Sequence, residues 1–225
     1  VLGKEEARHL QTVLRVKPGD TIQLFDGQGH TRLATVASIE KNSLTLVAVK
    51  PVVSHLKASC ALTLFVCISK GKHMDLTIEK AVELGVARIV PVISDRTIVR
   101  IDADDREAKA DRWMRIAEEA ARQCGRAWLP EILTPRSFKE SLALVQQTTP
   151  TFVAALTPNA KPLRDALQKT PQQAGWFVGP EGDFTPDELQ RLLDAGALPV
   201  SLGPLVLRAE TACLYGLCAL NCAWM

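Results

Sequence analysis

The chain lacks the features that would place it in several large classes. No apolar run approaches the roughly 20 residues of a membrane-spanning helix, and the opening VLGKEEARHL is charged and amphipathic, so no signal peptide is legible. Nor is there an initiator methionine, and the first element starts abruptly, so a missing stretch before Val1 is expected. Six cysteines form no CxxC pair and have no histidine at ligand spacing, which argues against structural zinc; no metal is expected. Cys60 and Cys67 lie in an apolar strand-like run and Cys213, Cys218 and Cys222 in the last helical run, so reduced, buried thiols in a cytoplasmic protein are expected. A net charge of +2 on 225 residues carries no excess that by itself indicates nucleic acid.

What is present is ordinary globular composition, 47% hydrophobic and 23% charged, with length for one substantial core or for a large and a small domain. Residues 1–57 hold eight Lys/Arg against five Asp/Glu and three of the four histidines, a mild basic excess that suits RNA or a plain solvated surface. KEEARHLQTVL sets Ala7, Leu10, Val13 and Leu14 on one helical face. Short alternating strands follow, TIQLFDGQGH and then a pair joined around residues 40–43, predicting a small β-barrel or sheet. The polar break 51–57 marks a boundary, dividing the chain into 1–55 and 56–225.

Beyond it the grammar changes. CALTLFVCIS, ARIVPVIS, TFVAALT, GWFVG and LPVSLG read as buried strands, alternating with helices over KHMDLTIEKAVELG, residues 104–124, FKESLALVQQ, KPLRDALQ, TPDELQRLLDAG and a last segment from Ala209. Continuous apolar strands between helices predict an α/β domain with a mostly parallel sheet covered on both faces. Thr185 and Glu188 form a capping box with Pro186 at the first helical position, so the loop Gly179–Phe184 lies outside the carboxyl end of a strand, where such sheets bind ligands.

That loop, GPEGDF, is neither GxGxxG nor GxxxxGK[ST], and Glu181 would repel a phosphate. An adenine-bearing ligand without phosphate and with positive charge suits it better, and S-adenosylmethionine has those properties. A tight turn with a solvated glutamate explains the same residues. VSLGPLVLRAETACLYG carries a second Gly-Pro loop about twenty residues on, on the same expected sheet edge, with Arg208 and Glu210 at the mouth of the last helix. Glu210 there complements the helix dipole; Arg208 is either its ion-pair partner or a grip on a substrate oxygen.

GPEGDF, SLG and LVLRAETA resemble the signature of the RsmE-type family of SPOUT methyltransferases, which methylate N3 of a uridine in 16S ribosomal RNA. The likeness extends over most of the chain: HLQTVLRVKPGDTIQLFDGQG resembles the family's PUA-like domain, KGKHMDLTIEKAVELGVARIVPVIS its first strand-helix-strand, and RWMRIAEEAARQCGRAWLPEI its long helix, with Glu119, Ala120, Gln123 and Arg126 in pattern. The resemblance implies a C-terminal SPOUT-type domain with a trefoil knot, a PUA-like β-barrel before it, a homodimer, and the small ribosomal subunit as partner. By position, S-adenosylmethionine would contact Leu156, Thr157, Gly179, Pro180, Glu181, Gly182, Ser201, Leu202, Gly203, Leu207, Thr211 and Ala212. Asp183 stands where the family usually has a second glycine, and Leu205 where it usually has arginine or lysine.

Methylating an imide nitrogen requires loss of its proton and leaves negative charge on O2 and O4, so a fixed cation beside those oxygens lowers the barrier. Arg208, oriented by Glu210, is assigned that role. No histidine is near either loop in sequence, so the proton acceptor is sought in a carboxylate, a partner-chain group or water. His9, Arg15, Lys70, Lys72, Gln123 and Arg126 are the candidate RNA contacts, His73 extends the lysine pair, and a solvated face with internal ion pairs is the alternative for the long-helix arginines. The last helix, apolar almost all round, fits either a buried core or a homodimer face, with Trp224 and Met225 poorly protected in a monomer. The rival functions are another SPOUT activity on a different base or a ribose 2′-oxygen, and a non-catalytic ribosome-assembly factor. A nucleotide hydrolase is disfavoured by the missing phosphate-loop lysine.

Overall fold

A computed structural model describes residues 4–12, 14–40, 43–167 and 169–224, with the side chains of residues 4–6 and 9 outside that description. The chain divides into two compact units, Val1–Lys57 and Ala58–Met225.

In the first unit, helix α1 (Lys4–Thr12) is followed by strands β1 (Thr21–Phe25), β2 (His30–Glu40), β3 (Ser43–Ala48) and β4 (Val53–Ser54). The strands are antiparallel in the order β1-β2-β3, with β4 paired to the start of β2. The short sequence period of the strands sends alternate residues inward, and Val36 and Leu44 meet Ala7 of the helix in a small core. Asp26 closes the β1–β2 turn: its Oδ1 accepts from the amides of Gln28 (2.7 Å) and His30 (3.1 Å).

The second unit contains β5 (Ala61–Cys67), α2 (Lys72–Glu83), β6 (Arg88–Ile93), α3 (Asp105–Cys124), β7 (Glu131–Ile132), β8 (Arg136–Ser137), α4 (Phe138–Gln147), β9 (Thr151–Ala154), β10 (Lys161–Pro162), α5 (Leu163–Ala166), β11 (Gln173–Val178), α6 (Pro186–Asp194), β12 (Leu198–Ser201) and α7 (Ala209–Trp224). The strands form one sheet in the order β10-β12-β9-β11-β5-β6-β7, with β8 also paired to β6. Every ladder described in it is parallel.

Its strands are apolar at consecutive positions because both faces are covered. Phe65, Cys67, Val153 and Phe177 face α4 and α6 with Phe138, Val145 and Leu192, and Phe65 stacks on Phe177 at 5.3 Å. On the opposite face Trp176 lies against α7 and donates its indole N–H to the Ala212 carbonyl (3.2 Å). The close approach requires Gly216, where a Cβ would run into the indole ring. Trp224, expected to be poorly protected, is 5% exposed and packs on Phe152, with its own carbonyl accepting from the Ser59 hydroxyl. The end of α7 is therefore anchored within the unit; Met225 lies outside the described residues.

The cysteines divide in two. Cys60, Cys67 and Cys213 are buried, whereas Cys124, at the end of α3, and Cys218 and Cys222, on an outer face of α7 that its apolar composition hid, are exposed. All six are free thiols.

Two outcomes follow from these contacts. Gly216→Ala should lower the unfolding free energy by about 1–3 kcal/mol despite better helix propensity, because the methyl overpacks the Trp176 ring; urea unfolding checks this, and a more stable variant would contradict it. Burial pushes the Cys60 thiol up to about 11 and the Cys67 thiol up to about 12, and raises Cys213 further. A folded state that holds these protons more tightly is fully favoured below the unfolded thiol value of about 8.5 and loses stability as pH rises from there toward the folded values. Native protein at pH 8 should alkylate at Cys124, Cys218 and Cys222, with the other three protected until denaturant is added, as peptide mapping would show.

Candidate active site

Because the ladders of the larger sheet are parallel, the carboxyl ends of β5, β6, β9, β11 and β12 lie on one edge. The loops after β9, β11 and β12 and the starts of α2 and α7 converge there on a cavity of about 460 Å³, a size that accommodates a cofactor. Its floor comes from Ala154, Ala155, Val178 and Val200 at the strand ends, its walls from Leu156, Pro180, Glu181, Asp183, Leu202, Gly203 and the segment Leu205–Ala209, and its rim from His73 and Glu210.

The loop after β11 is a closed reverse turn: the Asp183 amide donates to the Pro180 carbonyl at 2.9 Å. Asp183 takes a left-handed conformation, φ 59°, and its Oδ1 accepts from the Phe184 amide at 2.8 Å. An aspartate that bonds its local backbone thus adopts a conformation otherwise left to glycine. Phe184 is buried beneath the loop, 5.5 Å from the Phe177 ring and 6.1 Å from Phe138. A Cβ on Gly179 would stand 3.0 Å from the Phe184 ring, so this position stays bare. Thr185 and Glu188 make the capping box at the start of α6, and Glu188, 2% exposed, also accepts from the Asp95 amide at 2.9 Å.

In the loop after β12, Gly203 has φ 119° and its amide donates to the Ser201 hydroxyl at 3.2 Å. Leu205 and Val206 are 72% and 79% exposed. Arg208 is exposed and on the cavity wall, and among the described residues its guanidinium makes no ion pair. Glu210 does not orient it: its Oε1 lies 3.2 Å from His73 Nδ1, drawn to the base of α2. A histidine is therefore at this site, contrary to the expectation from sequence distance. It arrives at the start of α2, in the crossover that follows β5, more than a hundred residues from either loop in sequence and on the same sheet edge.

Residues 56–221 match the model of the RNA methyltransferase domain, and residues 2–49 match that of the RNA methyltransferase PUA domain. The chain is 29% identical to the ribosomal RNA small subunit methyltransferase E of Buchnera aphidicola, over 96% of this chain and 85% of that one. A crystal structure of a ribosomal RNA small subunit methyltransferase E from Neisseria gonorrhoeae bound to S-adenosyl methionine superposes with a TM-score of 0.89 and 33% identity, covering 99% of this chain and 91% of that one. The chain belongs to the ribosomal RNA small subunit methyltransferase E family. A putative methyltransferase from Legionella pneumophila in complex with S-adenosyl methionine is also similar, with a TM-score of 0.91 and 31% identity over 99% of this chain and 90% of that one.

Of the positions that family resemblance nominated, Leu156, Pro180, Glu181, Leu202, Gly203, Leu207, Arg208, Glu210 and Ala212 line the one cavity. Thr157, Gly179, Gly182, Ser201 and Thr211 lie in the same segments without lining it. Sequence reasoning missed His73 as a lining residue, together with Val178 and Val200; the rule that parallel strands expose one carboxyl edge would have found all three. The nominated RNA contacts scatter. Lys70 and Lys72 are exposed at the β5–α2 corner beside His73. Gln123 is exposed in a separate groove between α2 and α3, where Arg112 pairs with Asp75. Arg126 is half-buried and corrects its assignment: it donates to the carbonyls of Val82 (2.9 Å) and Val86 (2.6 Å), tying the end of α3 to the end of α2. In the first unit Arg15 is exposed in a left-handed turn, φ 52°, and the His9 side chain lies outside the described residues.

The Asp183 conformation sets a test. Asp183→Gly should change stability by less than about 1 kcal/mol, whereas Asp183→Val, β-branched at positive φ, should lose about 1–3 kcal/mol. Thermal unfolding of both variants checks this; equal behaviour would contradict the left-handed assignment.

Proposed function

We propose that this chain is an S-adenosylmethionine-dependent methyltransferase that modifies N3 of a uridine in 16S ribosomal RNA, acting in the cytoplasm as a homodimer. The observation that carries the reading is the meeting of the β11 and β12 loops on one cavity whose charged wall residues near the first loop, Glu181 and Asp183, are acidic. Such a wall disfavours phosphate and suits a cationic ligand, and the apolar strand ends Val178 and Val200 suit a base ring. The residues present therefore fit the cofactor found in the relatives.

Pro180, Glu181, Leu202, Gly203, Leu207 and Ala212 would hold it. When bound, it supplies an electrophilic methyl group. Arg208, without an ion pair among the described residues, stands on the wall for the remaining task, offsetting the charge that spreads over O2 and O4 as N3 loses its proton. His73 and Glu210, the titratable pair on the rim, are the candidate acceptors for that proton. Lys70 and Lys72 beside them, with Arg15 and His9 of the PUA unit, are assigned to the RNA backbone.

The homodimer is supported by apolar surface around the cavity mouth, at Leu205 and Val206, and by Tyr215 on the outer face of α7. The trefoil crossing belongs to the same reading and is supported by β12 lying inside the sheet, between β10 and β9, rather than at an edge. Among the described residues no helix is long and apolar enough to cross a membrane.

Calorimetry with S-adenosylmethionine tests the cofactor, and mapping of methylated bases in small-subunit RNA tests the product. Binding plus one N3-methyluridine is the expected result; no binding at millimolar cofactor would point instead to a non-catalytic assembly factor. Arg208→Ala should reduce turnover about a hundredfold at saturating substrates, the usual effect of removing one donor to a developing oxyanion. Near-normal turnover would remove Arg208 from the mechanism.

A further inference from the structure

The loop after β6 carries an arginine that sequence reading did not single out. Arg96 does not line the cavity, yet its Nη1 donates to the Gly182 carbonyl at 2.6 Å and reaches the Phe184 carbonyl at 3.5 Å, both in the β11 loop. A trans peptide points its C=O and N–H in opposite directions, so turning the Gly182 carbonyl to Arg96 turns the Asp183 amide away from it. That amide closes the Pro180–Asp183 turn. One guanidinium thus sets the peptide plane on which the turn depends, from the side of the loop away from the cavity.

The arginine itself stands on a braced platform. The Ser94 amide donates to the Thr97 hydroxyl at 2.9 Å, and the Thr97 amide returns to the Ser94 carbonyl at 3.0 Å. The next amide, Asp95, donates at 2.9 Å to the buried Glu188 carboxylate, whose other oxygen accepts from Thr185. The β6 loop is therefore joined to the β11 loop through Arg96 and to the first turn of α6 through Asp95. Hydrogen bonds from a charged donor are the stronger kind, and here one guanidinium nitrogen, Nη1, is shared between the two carbonyls, the shorter bond going to Gly182.

We propose that Arg96 is a positioning residue for cofactor binding: it holds the Pro180–Asp183 turn in its binding geometry through the Gly182 and Phe184 carbonyls without touching the ligand. This rests on the reading of the cavity as the S-adenosylmethionine site. A turn that is already set before binding loses less freedom on binding, so removal of the brace falls on affinity rather than on chemistry.

The test measures S-adenosylmethionine affinity by calorimetry in the full chain for wild type, Arg96→Ala, Arg96→Lys and Arg100→Ala, an exposed arginine in the same loop region. It adds steady-state kinetics and amide hydrogen exchange without ligand. Arg96→Ala should weaken the cofactor about tenfold, the size of one charge-assisted hydrogen bond. Its kcat at saturating cofactor and its KM for RNA should stay within about twofold, Arg96→Lys should recover part of the loss, and Arg100→Ala should match wild type. In the ligand-free protein, exchange at the Asp183 amide should quicken in Arg96→Ala. Unchanged affinity and unchanged Asp183 exchange overturn the proposal, as does an effect equal to that of Arg100→Ala, or a defect confined to KM for RNA. If wild type itself fails to bind the cofactor, the functional reading falls, while Asp183 exchange still decides whether Arg96 sets the turn.

Discussion

Parallel pairing of the larger sheet is the constraint on which the rest of this structure depends. A parallel strand must be followed by a crossover, and each crossover returns the chain to the same end of the sheet. Every strand therefore delivers its carboxyl end to one edge, and short peptide segments far apart in sequence become neighbours there. Here that edge collects His73 from the first crossover, Arg96 from the second, Leu156 from the loop after β9 and the two Gly-Pro loops near the C-terminus. The antiparallel first unit has no such edge, and its strands are joined by short turns such as the one Asp26 closes.

The cavity works by shape as much as by charge. Its loops approach one another because glycines leave room at two places: Gly179 over the Phe184 ring, and Gly216 under the Trp176 ring, where α7 is drawn onto the sheet. Phe184 and Trp176 are the buried masses on which the β11 loop and the start of the last helix are seated, and both loops inherit the rigidity of the core behind them. The wall is then finished by residues with few internal partners, Arg208 above all, left available for a ligand. Arg126 shows the reverse case: its guanidinium is consumed by backbone carbonyls at a helix end.

Much of this was legible in the chain because the relevant physics is local. The capping box at Thr185 and Glu188 set the start of α6 and so the position of the loop before it. Apolar runs predicted strands buried on both faces, and the helix expected over residues 104–124 is α3 (Asp105–Cys124). What was misread depended on partners supplied from a distance. Glu210 and Arg208 are two residues apart at the mouth of one helix, which made an ion pair between them plausible, but Glu210 turns to His73. The apolar length of α7 concealed its outer face, and nothing near Trp224 in sequence announced that Phe152 would cover it.

Fold class, the order of elements and the two loops that end at glycines were determined by the sequence alone, because propensity, capping and hydrophobic period act between near neighbours. Which side chains share the cavity, which arginine remains free and which is tied down, and which histidine joins the rim were decided only by the tertiary structure. Those outcomes depend on the stacking order of the strands, and no local rule encodes the order β10-β12-β9-β11-β5-β6. Once that order exists, residues more than a hundred positions apart compete for the same carboxylate, and geometry chooses between them.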